Sequence, residues 1–128
     1  LDIFADELVH RQNAADRYAA LLEGVVGTPS LEAGVTSSWA QYVIQLPQGS
    51  NRDAICKSLA NSGVPTAIYY PVPMHRQPPY AHYPVSACNL PVTMDLCDHV
   101  LALPMHPYLE TDQQALIASS LKDALATA

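Results

Sequence analysis

The segment from Val64 to Tyr80 carries the densest set of side chains that could recognise a ligand. It reads V-P-T-A-I-Y-Y-P-V-P-M-H-R-Q-P-P-Y, so a short β-branched and aromatic stretch leads directly into a proline-rich loop. Because proline fixes φ and cannot donate to a sheet ladder, we expect the strand to end near Tyr70 and the loop to be rigid. The candidate recognition side chains of this segment are Tyr69, Tyr70, His75, Arg76, Gln77 and Tyr80.

These side chains differ in what they can do. His75 can donate a hydrogen bond to a substrate hydroxyl, carboxylate or phosphate, although a histidine that only caps its own loop is the alternative. Tyr69 and Tyr70 are neighbours in a strand and must point to opposite faces, so we expect one in the core and Tyr70 in the polar role. His106 follows a second strand-to-proline exit, and adjacent strands would bring both exits to one sheet edge. A simple turn explains His106 equally well.

Cysteine and histidine chemistry has weaker support. The three cysteines, Cys56, Cys88 and Cys97, contain no C-x-x-C pair, which favours a reducing cytoplasm over a disulfide framework. Cys88 and Cys97 lie in one stretch with His99 and His106, but no pair has a standard zinc spacing. No cysteine is surrounded by the positive charge that lowers a thiol pKa, so a Cys-His nucleophile is also disfavoured.

The two lysines do not indicate covalent catalysis. Lys57 is predicted on the polar side of the second helix and Lys122 on the last helix. Neither has the apolar or cationic surroundings that activate an amine. From residue chemistry alone, the chain lacks a convincing catalytic centre.

Composition excludes several kinds of partner. The 128 residues are 49% hydrophobic and only 14% charged, which is typical of one globular domain with some apolar surface at an interface. The net charge of −6 and the absence of a basic stripe argue against nucleic-acid binding. No apolar run has the length of a membrane span. The first residue is Leu inside an amphipathic pattern, so we expect a fragment whose upstream part is missing.

The order of predicted elements is α-β-α-β-α-β-α. A helix covers about Ile3 to Glu23, strands cover Trp39–Leu46, about Thr66–Tyr70 and Val100–Leu103, and a long loop covers Pro71–Leu90. Ser50 is expected to cap the second helix, Pro91 to begin a short third one, and Thr111 to cap the last, whose inner face is Leu116, Ile117, Ser120 and Leu121. We therefore predict an α/β, two-layer fold: a small three-stranded, mainly antiparallel sheet with helices on one face and a long N-terminal helix.

Three ordered motifs resemble one known family. Gly63 to Tyr80 is similar to the G-I-x-T-x-x-Y-Y-P-x-P-L-H-x-Q-x-x-Y pattern of pyridoxal-phosphate-dependent sugar aminotransferases of the DegT/StrS type. Ser38 to Ile44 resembles the first small-domain strand of that family, and Leu101 to Leu109 resembles its L-x-L-P-M-H-P-x-L exit. The first helix, with Arg11, Ala15 and Tyr18, is similar to the interdomain helix. The resemblance covers nearly the whole chain.

The resemblance implies the C-terminal small domain of a fold type I aminotransferase. Residues 1–24 would be the interdomain helix and residues 35–128 the α/β domain, while the large cofactor-binding N-terminal domain, with its lysine, would be absent. The implied reaction moves an amino group, usually from glutamate, to a keto sugar on a nucleotide. Tyr70, His75, Gln77 and Tyr80 would position substrate, with no catalytic, cofactor-binding or metal-ligating residue in this chain, and the full-length protein would be a cytoplasmic homodimer.

Residues 39 and 40 mark a sub-branch. Many members carry Tyr-His where this chain has Trp39-Ala40, and this difference fits enzymes that act on UDP-linked 3-keto sugars. The implied products are sugars for cell-surface polysaccharides or natural products. Two other hypotheses stay open from the residues alone. One is a stand-alone module that binds a small polar ligand through the His75 loop, and the other is a structural domain that serves only oligomer contacts.

Overall fold

The computed structural model describes residues 2–86 and 88–127. Leu1, Ala87 and Ala128 lie outside the described residues, and of these three Ala87 falls in the predicted loop Pro71–Leu90. Four α-helices and two strands follow one another, with a single 3₁₀ turn in the long loop. They are α1 (Phe4–Leu22), β1 (Tyr42–Gln45), α2 (Arg52–Asn61), the 3₁₀ turn (Met74–Arg76), α3 (Pro91–His99), β2 (Val100–Leu103) and α4 (Thr111–Thr127). The predicted α/β class and the long first helix are confirmed.

The sheet is antiparallel, as predicted, but it has two strands and not three. Tyr42 pairs with Leu103, and Gln45 pairs with Val100. The predicted strand Thr66–Tyr70 is wrong: only Ala67 pairs, by exchanging hydrogen bonds of 3.2 and 2.8 Å with Ala102. Prolines at positions 65 and 71 bound this segment and cannot donate to a ladder, so little more than one pair can form.

One hydrophobic core lies between the sheet and three helices. Alternate strand residues face it, because successive strand side chains point to opposite sides. From the sheet these are Tyr42, Ile44, Leu101 and Leu103, and from α1, α2 and α4 the fully buried residues include Tyr18, Leu22, Ile55, Leu59 and Leu121. The predicted layer of helices against one sheet face is therefore present.

A polar contact fixes α1 against α4 inside this core. The amide nitrogen of Gln114, whose side chain is fully buried, donates to the Ala14 carbonyl at 2.8 Å, and the Arg17 guanidinium donates to the Gln114 amide oxygen. Gln114 therefore occupies a position on the inner face of α4, whereas Leu116, predicted there, is 57% exposed. The prediction that Leu116 lies on the inner face is wrong, because the side of α4 that faces α1 carries Gln114 and leaves Leu116 in solvent.

The helix ends depart from the predicted caps by one residue. The side chain of Asn51, not Ser50, accepts the Ala54 backbone N–H at the start of α2. Helix α4 begins at Thr111, and the Glu110 N–H donates to the Gln113 side chain in the reciprocal half of a capping box. Pro91 begins α3 as predicted. Serine and asparagine both cap helices well, so local sequence leaves the choice between Ser50 and Asn51 ambiguous.

Candidate functional site

The long loop presents its predicted recognition residues at the surface. His75 lies in the middle of the 3₁₀ turn and is half-buried, as is Gln77, which follows that turn. Tyr70 is 67% exposed and Tyr80 is 43% exposed. Aromatic side chains exposed to this degree on a proline-rich loop are typical of a recognition surface.

Hydrogen bonds within the loop hold its shape. The Gln77 amide nitrogen donates to the Val72 carbonyl at 3.2 Å, across the 3₁₀ turn. The Gln77 carbonyl in turn accepts the N–H groups of Tyr80 and Ala81 at 2.9 and 3.0 Å. Gln77 therefore fastens both halves of the loop, a role that the sequence motif alone does not reveal.

Two of the four predicted site residues line one cavity. His75 and Tyr80 lie on the wall of a cavity of about 390 Å³, here called the loop cavity, together with Met74, Tyr83, Pro84, Leu90 and Thr93. Tyr70 and Gln77 are outside this lining. Aromatic faces beside one imidazole and the hydroxyl-bearing residues Tyr80, Tyr83 and Thr93 suit a ring-shaped ligand with a few polar groups. The sequence motifs do not predict Tyr83 or Thr93 as site residues. The one signal for Tyr83 is that it is an aromatic residue three positions after Tyr80.

Tyr69 and Tyr70 do not divide between core and surface. Both are exposed, at 40% and 67%, and their rings meet edge to face at a centroid distance of 5.6 Å. The prediction that one of them enters the core is wrong, because the segment pairs with the sheet at Ala67 only. Beyond that pair, no neighbouring strand covers the rings.

A second cavity lies on the sheet face away from the helices. It has a volume of about 290 Å³ and is here called the sheet-face cavity. Ala67 and Ala102, the bridged pair, lie beneath it, and it is also lined by Ala40, Gln41, Pro65, Thr66, Tyr69, Leu103, Pro104 and Met105. No local pattern indicates this cavity, because its residues come from three separated segments of the chain.

Trp39 directly precedes Ala40 and Gln41, which line the sheet-face cavity. Its backbone has a left-handed conformation, with φ of 46°. This region is costly for a bulky residue, so other contacts must hold it. The indole N–H donates to Gln12 Oε1 at 2.7 Å, the Trp39 carbonyl accepts from Arg11 at 3.0 Å, and its N–H donates to Ser37 Oγ at 3.1 Å. Contacts with α1 therefore determine the positions of Ala40 and Gln41, which follow Trp39 in the chain.

The two strand-to-proline exits come from adjacent, antiparallel segments. The chain leaves the pair between Ala67 and Ala102 in opposite directions, toward Tyr70 and toward Pro104. Tyr69 nevertheless lines the sheet-face cavity together with Pro104 and Met105, whereas His106 is exposed and lines neither cavity. That His75 and His106 converge stays a hypothesis.

The two lysines of the chain lie away from both cavities. Lys57 and Lys122 are both exposed, and neither lines the loop cavity or the sheet-face cavity. The lysine that pyridoxal phosphate needs is not supplied by either cavity wall.

The part of the chain that the structure describes has neither a group of metal-ligating side chains nor a helix that could span a membrane. In residues 2–86 and 88–127, no three His, Cys, Asp or Glu side chains are grouped so that they could bind a metal ion. Within the same part of the chain, every helix is too short or too polar to cross a membrane. The exposed Cys88 thiol has a lowered pKa, mainly because of its hydrogen bond with Ser86.

Comparison with known proteins gives one consistent result. Residues 1–122 match the model of the DegT/DnrJ/EryC1/StrS aminotransferase family. The chain is 38% identical over 122 residues to a UDP-2-acetamido-2-deoxy-3-oxo-D-glucuronate aminotransferase of Pseudomonas aeruginosa, a match that covers 94% of this chain and 32% of that protein. It is 39% identical over 116 residues to a UDP-N-acetyl-3-dehydro-alpha-D-glucosamine 3-aminotransferase of Acidithiobacillus ferrooxidans, covering 90% and 30%.

Solved structures agree with these relatives. The fold matches a DegT DnrJ EryC1 StrS aminotransferase from Brucella abortus with a TM-score of 0.91 and 41% identity, covering 98% of this chain and 33% of that one. The chain thus spans about a third of the length of the proteins it matches.

Proposed function

The chain belongs to the DegT/DnrJ/EryC1/StrS aminotransferase family, and we propose that it is the C-terminal small domain of a pyridoxal-phosphate-dependent nucleotide-sugar aminotransferase. The observation that carries this proposal is the identity of 38% over 122 residues and 39% over 116 residues to relatives that are named for UDP-linked 3-oxo sugars. The proposed substrate class is accordingly a UDP-linked 3-keto sugar, with glutamate as amino donor.

The loop cavity is the part of this domain proposed to face the substrate. His75 offers a hydrogen bond, and the rings of Tyr80 and Tyr83 offer flat apolar surfaces. Gln77 contributes by holding the loop, since its amide is engaged with Val72. Tyr70, exposed beside Tyr69, is proposed to reach substrate from outside the cavity. Preorganised contacts of this kind position a substrate without taking part in proton transfer.

The remaining chemistry is assigned to the longer protein. Pyridoxal phosphate supplies the electron sink for amino transfer when it is bound. Since Lys57 and Lys122 are exposed and line neither cavity, we place the Schiff-base lysine in a large domain outside this chain. A cytoplasmic homodimer that makes amino sugars for cell-surface polysaccharides or natural products completes the proposal.

Steady-state kinetics of the full-length protein test the loop assignment. We expect His75→Ala to raise KM for the nucleotide sugar about tenfold, the loss of one hydrogen bond to a polar ligand, and to leave KM for glutamate unchanged. His10→Ala is the control, because His10 is exposed on α1 and lines neither cavity. Equal KM values for His75→Ala and the wild type would remove His75 from the site.

Cofactor binding tests the domain assignment separately. Pyridoxal phosphate added to the 128-residue chain is expected to give no Schiff-base absorbance that borohydride can trap. The full-length protein is expected to give that absorbance. A stoichiometric adduct at Lys57 or Lys122 of the short chain would contradict the proposal and favour a different reading of the domain.

A further inference from the structure

Helix α3 forms part of the wall of the loop cavity but contributes little to the hydrophobic core. Leu90, which directly precedes the helix, and Thr93 in its first turn line that cavity. Of its nine residues, all of which the structure describes, only Cys97 is buried, and none is part of the core between the sheet and the other helices. A helix this short owes its stability to tertiary contacts, so contacts other than core packing must fix the position of α3.

Polar groups from other elements bind the C-terminal end of α3. The last four carbonyls of a helix have no partner within the helix. Nη1 of Arg52 donates to the Cys97 carbonyl at 2.6 Å and to the Val100 carbonyl at 3.3 Å. The His99 carbonyl accepts the N–H of Leu46 at 2.9 Å. Contacts with α2 and with the residue after β1 therefore fix this end of α3.

The position of Arg52 suits this contact better than it suits its own helix. Arg52 is the first residue of α2, where a cation is unfavourable for the macrodipole of that helix. The C-terminal end of a helix, which Arg52 contacts in α3, is where a cation is favourable. Both hydrogen bonds of its half-buried side chain come from Nη1, while its Nε is buried without a partner among residues 2–86 and 88–127.

We propose that Arg52 is a positioning residue for nucleotide-sugar binding: by binding the C-terminal end of α3, it determines where Leu90 and Thr93 lie in the wall of the loop cavity. A helix of nine residues is about 13 Å long and moves as one rigid unit, so a shift at Cys97 is transmitted to Thr93. This inference rests on the proposed function and deepens it. Arg52 is outside the lining of the cavity and acts on the substrate through α3.

Steady-state kinetics of the full-length protein with a UDP-linked 3-keto sugar and glutamate test the proposal. We expect Arg52→Ala to raise KM for the nucleotide sugar about fivefold and to change kcat less than about twofold, because the cavity wall moves and no reacting group is lost. KM for glutamate should be unchanged. Arg52→Lys should keep KM within about twofold of the wild type, since one ammonium nitrogen can donate to both carbonyls, as Nη1 does. Lys57→Ala, which removes an exposed cation from the same helix, is the matched control and should change none of these values.

Hydrogen exchange of the same variants without substrate measures the order of α3 independently of activity. Arg52→Ala should speed exchange of the amides of residues 92–96 about fivefold and leave α4 unchanged, whereas Lys57→Ala should affect neither helix. Unchanged exchange in residues 92–96, or an unchanged KM for the nucleotide sugar, overturns the role of Arg52 and leaves the proposed function standing. Equal rises in both KM values, or an effect of Arg52→Lys as large as that of Arg52→Ala, also overturn this role. A wild type that transfers no amino group to the UDP-linked sugar overturns the proposed function, and the exchange rates then decide by themselves whether Arg52 fixes α3.

Discussion

The indole N–H of Trp39 donates a 2.7 Å hydrogen bond to the side-chain oxygen of Gln12 on α1, 27 positions earlier in the chain. This bond, together with the Arg11 contact to the Trp39 carbonyl, fixes a bulky residue at φ of 46°. The first helix thereby determines where β1 begins. A substitution that removes the Gln12 side chain should therefore disturb the structure where β1 begins.

Gln12→Ala removes the acceptor of the buried indole N–H. We expect the free energy of unfolding to fall by about 1–3 kcal/mol, the cost of leaving a buried donor unpaired. Urea unfolding followed by the fluorescence of Trp39, the one tryptophan in the chain, measures this. Asn13→Ala is the control, since Asn13 is exposed on the next position of α1. A variant as stable as this control would show that the bond contributes nothing.

Tyr18 and Tyr42 stack in the core with ring centroids 4.9 Å apart, yet their hydroxyls differ. Tyr18 donates to the Pro104 carbonyl at 2.9 Å, whereas the buried Tyr42 hydroxyl has no hydrogen-bond partner among residues 2–86 and 88–127. We expect Tyr18→Phe to cost about 1 kcal/mol and Tyr42→Phe to be neutral or stabilising by up to about 1 kcal/mol. Thermal unfolding of both variants measures the difference, and equal losses would contradict it.

Alkaline pH should destabilise the chain through the same pair. Burial, with the Asp16 carboxylate as a second cause, raises the pKa of Tyr42 to about 12, and burial also raises the pKa of Tyr18. An unfolded tyrosine has a pKa of about 10, so between about pH 10 and 12 the unfolded chain loses protons that the folded chain retains. The free energy of unfolding therefore falls as pH rises through this window.

The variant Tyr42→Phe isolates the Tyr42 contribution to that decline. Its free energy of unfolding should fall less steeply than that of the wild type between about pH 10 and 12, because one of the two buried phenols is gone. Urea titrations at a series of pH values give the slope. Parallel slopes for the two proteins would show that Tyr42 does not titrate differently in the folded state.

Gln114 joins α1 to α4 through Arg17 and Ala14. Replacing Gln114 by Leu keeps the volume but leaves the buried side of Arg17 without its amide partner. We expect a loss of about 1–3 kcal/mol in the free energy of unfolding. Leu116→Gln, the reverse exchange at a position 57% exposed on the same helix, should change stability by less than about 0.5 kcal/mol. Comparable effects at both positions would refute this interpretation of the α1–α4 contact.

Local signals in the sequence predicted much of the fold. Helix α3 from Pro91 to His99 and strand β2 from Val100 to Leu103 have the predicted bounds, because a proline at the first turn of the helix and a short apolar run ended by Pro104 are local features. The predicted strand Thr66–Tyr70 has the same local appearance. It forms one pair only, since prolines on both sides limit its ladder.

Local signals in the sequence also predicted only one part of the candidate site. Sequence motifs identified the loop and its residues His75 and Tyr80, which share a cavity. They did not identify the sheet-face cavity, whose walls come from residues 40–41, 65–69 and 102–105. Side chains so far apart in the chain meet only after the strands have paired, and no periodicity along the chain encodes which segments pair.

By itself, the sequence determined the family, the α/β class and the loop that carries the proposed recognition residues, because motif identity and hydrophobic period are properties of neighbouring residues. Tertiary structure alone decided that Gln114 is buried, that Trp39 is held in a left-handed conformation and that Ala67 meets Ala102. Each of these depends on a hydrogen-bond partner dozens of residues away. A polar or strained residue becomes favourable only when such a partner is brought to it.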